Sequence, residues 1–265
     1  MNKTEFLDRC ARTGEERVLL SRVLDRAERS RLRSTPEHTD FLSDTEQALL
    51  TDALRLYGGA QFVFCGGYEG AERRVCLFLP DWLEADTLSA DANGVLTAVS
   101  ADISRAERLS HRDMLGALMG VGLTREKLGD ILLTENTAQV IVLKSAAEIL
   151  LSQWDGVGRF RIEPREIPLE ELVVRPPQVK EITDTVAALR LDSVLSAGFS
   201  LPRSRAGELI AAGRVAVDHR DCLKADKIVR EGQTITCRGL GKCVLRSAGG
   251  LSKKGRIIVK IDRYL

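Results

Sequence analysis

The chain has 265 residues, 44% of them hydrophobic, with 39 Lys+Arg against 38 Asp+Glu and a formal net charge of +1. That length and apolar content allow a buried core and two or three domains, and no apolar run approaches the roughly 20 residues that span a bilayer. The six cysteines form no C-x-x-C pair and no Cys/His cluster with zinc spacing, and Met1 to Asp8 lacks the apolar segment of a signal peptide. The expectation is a reduced, cytoplasmic protein with no metal and no other cofactor.

In chain order, Glu15 to Arg33 carries Val18, Leu19, Val23 and Ala27 at helical spacing and ends in a run of arginines before Thr35-Pro36. Ser43-Asp44-Thr45-Glu46 has the spacing of a capping box, with Ala48, Leu49, Ala53 and Leu56 as the apolar stripe of the next helix. Residues 61–65 and 74–78 alternate as strands around Gly66-Gly67, and Val95 to Ile103 is a further strand. Ser110-His111-Arg112-Asp113 opens a helix through Met119 that Gly120 and Gly122 end. Residues 129–133 and 139–142 form a hairpin around Glu135-Asn136-Thr137, and a helix follows to Trp154. Arg159 to Glu163 reads as a closing strand.

Pro164, Pro168, Pro176 and Pro177 then mark a linker from Glu166 to Lys180. The expected class is α+β: a helical N-terminal region over residues 1–80, a central α/β body with a mixed sheet over 81–165, a linker over 166–182, and a separate domain over 183–265.

Charge divides the chain where the elements do. Leu189 to Leu265 holds 16 Lys+Arg and 7 Asp+Glu, which leaves the rest of the chain acidic. A basic end on an acidic body points to a polyanionic partner. Within that end, Arg190 opens a short helix, and Pro202-Arg203-Ser204-Arg205-Ala206-Gly207-Glu208-Leu209-Ile210 makes a second that Gly213 ends. Arg214 and Val215-Ala216-Val217 follow, and Gly232-Gln233-Thr234-Ile235 turns into another strand. This order, R-x-x-A-x-x-L-I-x-x-G-x-V with a later G-x-x-I, resembles the S-four-type (αL) RNA-binding domain. Arginines in a helix's first turn add to the free amides and positive dipole end that attract phosphate; the bland reading is surface arginine paired with Glu208 or Asp192. Pro202 and Asp218 depart from the pattern, where Ser and Asn are usual. Two glycine-lysine loops follow, one around Lys242 and one at Ser252-Lys253-Lys254-Gly255-Arg256. They are either phosphate-approaching loops or solvated hairpin turns.

Three blocks, Gly66-Gly67-Tyr68-Glu69-Gly70-Ala71-Glu72-Arg73, residues 110–116 and residues 122–131, together with this tail, resemble the bacterial YlmH family, also called RqcP. The resemblance implies a non-catalytic factor of ribosome-associated quality control that binds rRNA and tRNA on the large ribosomal subunit. The expected RNA-binding residues are Arg190, Arg203, Arg205, Arg214, Lys242, Lys253, Lys254 and Arg256. His111, Arg112, Arg125 and Lys127 are further candidates, unless Asp113 and Glu126 pair with those bases and His111 serves the helix start. Nothing argues against a monomer.

The rival from another class is an RNA-modifying enzyme, pseudouridine synthase-like, targeted by the S-four domain. Asp102 and Asp130 qualify for its catalytic aspartate by residue type only. No G-x-G-x-x-G, P-loop or nucleophile motif is present. A protein-binding adaptor is the third class, and it would be indifferent to salt.

Overall fold

The computed structural model of the chain describes residues 2–58, 60–104 and 109–264. It divides into two compact units, residues 1–175 and 176–265.

The first unit opens with α1 (Lys3–Cys10), started by an Asn2/Glu5 capping box, and α2 (Gly14–Arg33), capped by Thr13. α2 buries Leu20, Val23, Leu24 and Ala27, while Val18 points out at 52% exposure. The buried face is therefore rotated from the expected one: the i, i+3, i+4, i+7 set that meets β3 begins at Leu20. β1 (Glu37–His38) follows, then α3 (Asp44–Tyr57) with the Ser43/Glu46 capping box. α3 likewise buries Gln47, Leu50, Ala53 and Leu54 and leaves Leu56 exposed. β2 (Gln61–Cys65) and β3 (Val75–Leu79) pair antiparallel, and β1 adds to the far side of β3.

β4 (Leu96–Asp102), α4 (His111–Gly120), β5 (Leu128–Leu133), β6 (Thr137–Leu143) and α5 (Lys144–Gln153) come next. A small hairpin of β7 (Gly156–Val157) and β8 (Phe160–Arg161) precedes β9 (Arg165–Ile167). The second sheet has the order β5-β6-β4-β9. The closing strand is thus β9, paired with residues 98–100 of β4, and not the segment from Arg159. The expected linker starts inside this sheet, and the buried Ile167 and Leu169 tie it to the core. Residue 80 is no boundary in packing either: Val75, Leu77 and Leu79 share one buried cluster with Leu96, Ala98 and Ile141.

The second unit holds β10 (Val179–Val186), α6 (Leu191–Phe199), α7 (Arg203–Ala211), β11 (Val215–Val217), β12 (Arg220–Asp221), β13 (Thr234–Cys237), β14 (Gly241–Leu251) and β15 (Ile257–Tyr264). Its sheet runs β10-β15-β14-β13-β11-β12, and α6 and α7 bury Leu191, Val194, Leu195, Ala206 and Ile210 in its core. Cys237 and Cys243 are buried there, as expected of small apolar side chains. Every strand pair among the described residues is antiparallel, so the α+β class stands while the mixed sheet does not; hairpins and reversing connections build each sheet.

Candidate nucleic-acid interface

The S-four-like helix pair starts from two bare ends. Arg190 is the N-cap of α6 and Pro202 that of α7, and neither supplies a side-chain cap. The loss of a hydroxyl at Pro202 leaves the first-turn amides of α7 without a side-chain acceptor, which suits an anion. Asp192, with a side chain 10% exposed, sits between them. Its Oδ2 accepts from Arg203 Nη2 at 2.9 Å and from Arg190 Nη2 at 3.1 Å, and its Oδ1 accepts from Arg190 Nε at 3.2 Å and Ser193 Oγ at 3.1 Å. Burial pushes the Asp192 carboxyl up, but the bonds from Arg190, Arg203 and Ser193 outweigh it and hold its pKa below the usual range. Two guanidiniums share one carboxylate, so the trio keeps a net positive charge with fixed geometry. Arg205 pairs with Glu208 at 2.7 Å on the exposed face of α7.

The other expected residues are dispersed. Arg214 Nη2 donates to the carbonyl of Arg238 at 2.7 Å, which braces the β13–β14 turn. Lys242 lies over the Tyr264 ring, 4.7 Å from its centroid. Arg256 donates to the Thr185 carbonyl at 2.6 Å. Lys253 and Lys254 are exposed at the β14–β15 turn. Asp218 turns its charge into its own sheet, accepting from the Thr234 amide at 2.9 Å and from Gln233 Nε2 at 2.6 Å. Asp218 and His219 both hold positive φ, 48° and 62°, a conformation Asp tolerates in place of Asn.

The four candidates in the first unit separate by role. Arg125 donates from Nη1 to the carbonyls of Leu128 and Gly129, both at 3.1 Å, and Lys127 pairs with Asp40 at 2.8 Å. Asp113 is spent in the Ser110 capping box. His111 keeps an exposed face, but partial desolvation and then the Arg125 charge hold its pKa below the usual imidazole value. Arg112 is exposed.

Sequence reasoning missed a polar junction beside them. Asp130 accepts from Tyr68 Oη at 2.8 Å, the Glu72 amide at 2.7 Å and the Arg73 amide at 3.0 Å. Arg73 in turn donates to the carbonyls of Leu128, Phe41 and Arg125. The Gly66–Arg73 block is therefore a clasp that fixes this loop to β5. Its glycines permit the turn: a side chain at Gly66 would meet Ala71 Cβ at 2.4 Å. Asp130 serves that clasp, and Asp102 accepts from the Ser104 amide at 2.8 Å. Among the described residues no group of three or more His, Cys, Asp or Glu could hold a metal ion. No helix there is long and apolar enough to cross a membrane.

Three family patterns match this architecture: "YlmH, N-terminal" over residues 15–81, "Putative RNA-binding domain in YlmH" over 101–171, and "S4 domain" over 189–235. The Bacillus subtilis (strain 168) protein named "Ribosome-associated protein quality control protein P2" is 32% identical over 227 residues, 85% of this chain and 86% of that protein. The chain belongs to the YlmH family. A solved structure, "Cell division protein ylmH from Streptococcus pneumoniae", shares the YlmH fold with a TM-score of 0.51 at 20% identity, over 62% of this chain and 98% of that one. The S4 match ends at residue 235, so the Lys253–Arg256 hairpin of this YlmH chain lies beyond it.

Proposed function

We propose that this YlmH-family chain is a non-catalytic RNA-binding factor of ribosome-associated quality control. It engages rRNA and tRNA on the large ribosomal subunit through its S-four unit, as a cytoplasmic monomer. The observation that carries this reading is the Asp192 clamp. It aims Arg190 and Arg203 from the start of two helices, beside the uncapped amides of α7, in a domain with a strong positive excess. Arg190 spends its Nε–Nη2 fork on Asp192, so its Nη1 and the remaining donors of Arg203 meet the phosphate oxygens, and guanidiniums already held in place lose little freedom on binding. Arg205, Arg214, Lys242, Lys253, Lys254 and Arg256 supply the surrounding charge. The identity to a protein named for ribosome-associated quality control supplies the setting. A pseudouridine synthase-like activity has no observation in its favour, since Asp130 is held by three donors as part of the fold.

The test is co-sedimentation with isolated large subunits, with and without bound tRNA. The wild type pellets with subunits, more so with tRNA, and Arg203→Glu/Arg205→Glu stays in the supernatant. Binding that neutralises about six phosphates falls by roughly a thousandfold or more between about 50 and 200 mM salt. A wild type that never pellets with subunits, or one indifferent to salt, ends this reading.

A further inference from the structure

The end of the β14–β15 hairpin presents an apolar side chain that the helix pair does not use. Beyond Leu245, β14 pairs only with β15, and bulges between Leu245 and Ser247 and between Ala248 and Leu251 bend it. Leu251 stands opposite Ile257, and Ile257 opposite Val186, so the three side chains share one face of the sheet. Val186 is buried in one cluster with Leu191 and Val194 of α6. Leu251 continues that row into solvent, at 70% exposure the most exposed large hydrophobic side chain among the described residues. The turn beside it is closed. The Ser252 amide donates to the Arg256 carbonyl at 2.8 Å, the Gly255 amide to the Ser252 carbonyl at 2.9 Å, and the Arg256 amide to Ser252 Oγ at 3.1 Å. Lys253 and Lys254 are its exposed central residues, and Gly255 follows at φ +70°. Arg256 braces this turn against β10 through the Thr185 carbonyl, at 2.6 Å.

Charge and side-chain type decide what fits. From Gly232 to Ile261 the chain has seven Lys and Arg and no Asp or Glu. Two carboxylates reach the hairpin from neighbouring segments, and each is held by a backbone amide: Glu231 by that of Ala248 and Asp184 by that of Thr185, both at 2.6 Å. The partner is therefore a polyanion. From Leu245 to Asp262 there is no aromatic residue, so the hairpin end gives an unpaired base no ring to stack on. An A-form RNA duplex needs none. Its minor groove is wide and shallow, lined by riboses and base edges, with a row of phosphates on either side. A rigid turn with one apolar side chain and two adjacent lysines matches that groove.

We propose that the β14–β15 turn docks in the minor groove of a base-paired RNA stem, with Leu251 against the riboses and base edges and Lys253 and Lys254 on the flanking phosphates. This rests on the RNA-binding reading above and deepens it. It names double-stranded RNA as what the hairpin takes, adds Leu251 as a contact residue, and gives Arg256 the task of holding the turn in place.

The experiment uses the full chain with a fluorescein-labelled RNA duplex of about 16 base pairs and, separately, one of its strands, read by anisotropy from about 50 mM salt upward. Lys253→Gln/Lys254→Gln removes two charges, and Leu251→Ser removes the apolar contact and no charge; all three positions are exposed, so the fold accepts both changes. The lysine variant loses about tenfold in duplex affinity, and its log–log salt slope is smaller by about 1.8, as for two duplex phosphate contacts. Leu251→Ser loses about tenfold at an unchanged slope. Single-strand affinity changes by less than about twofold in either. A duplex loss below about threefold for Leu251→Ser, or equal losses on duplex and single strand, overturns the proposal. Arg203→Glu/Arg205→Glu and sedimentation with large subunits are run alongside. If that variant loses the duplex and the subunits while the turn variants behave as wild type, the hairpin has failed and the S-four reading stands. Turn variants that lose the subunits but keep the duplex make the hairpin a protein contact and end the proposal. A wild type that binds the duplex through the hairpin but never pellets ends the ribosomal reading instead, and one that binds neither RNA ends both.

Discussion

Asp192 and Arg203 meet at 2.9 Å across eleven residues of sequence, one on α6 and the other in the first turn of α7. That contact, together with the bonds from Arg190, makes two helix starts into a single rigid cationic edge.

Asp192→Asn keeps the shape of this edge and removes the carboxylate's negative charge. The folded carboxyl titrates below the usual value of about 4, so its stabilising contribution is present above about pH 4 and is lost as pH falls through the folded value. The variant is therefore less stable than the wild type at pH 7, by about 1 kcal/mol once the exposure of the two arginines is allowed for. The difference closes once the pH has fallen below the folded value. Urea titrations at pH 7 and at successively lower pH measure it.

Asp130→Ala removes the acceptor for three donors at once. Two of these are backbone amides and the third is Tyr68 Oη, whose pKa is pushed well up by burial and by Asp130 itself. The cost is about 3 kcal/mol in the first unit, because the amides of Glu72 and Arg73 lose their partner inside a tight loop. Chemical denaturation followed by Trp154 fluorescence reads it, and large-subunit binding at low temperature stays near that of the wild type.

Arg125→Ala and Lys127→Ala separate fold from RNA contact among the central bases. Arg125 donates to two backbone carbonyls, and its truncation costs about 1 to 2 kcal/mol. Lys127 makes a half-exposed pair with Asp40, and its truncation costs less than about 1 kcal/mol. Neither change alters the salt slope of RNA binding. A slope reduced by one contact in either variant would make that residue a phosphate ligand after all.

Gly198→Ala places a methyl 2.9 Å from Cys243 Sγ, a buried atom between α6 and β14. Overpacking of this kind destabilises the second unit by about 1 to 3 kcal/mol. Burial pushes the Cys243 thiol up to about 12, so it stays unlabelled by thiol reagents in the folded wild type. In the variant its labelling rate rises with the population of open states, which mass spectrometry of the labelled peptide follows.

Local features were legible in the sequence because their physics is local. The Ser43/Glu46 and Ser110/Asp113 capping boxes, the turn at Glu135-Asn136, with Thr137 already in β6, and the Gly213 stop all depend on neighbours within about four positions. The helix–turn–strand spacing from Arg190 to Ile235 was legible for the same reason, and it places Arg190, Arg203 and Arg205 at helix starts. Tertiary structure alone decided which apolar residues face inward. α2 and α3 each carry more hydrophobic positions than one face can bury, and the cluster they share with Cys76 and Phe78 takes Leu20 and Leu50 and leaves Val18 and Leu56 exposed. It also decided the fate of each charge. Arg125 and Arg112 look alike in sequence, yet folding brings the carbonyls of Leu128 and Gly129 to one and an open groove to the other. Where a partner lies far along the chain, as those of Asp130 do at Tyr68, Glu72 and Arg73, long-range packing sets it and no local spacing encodes it.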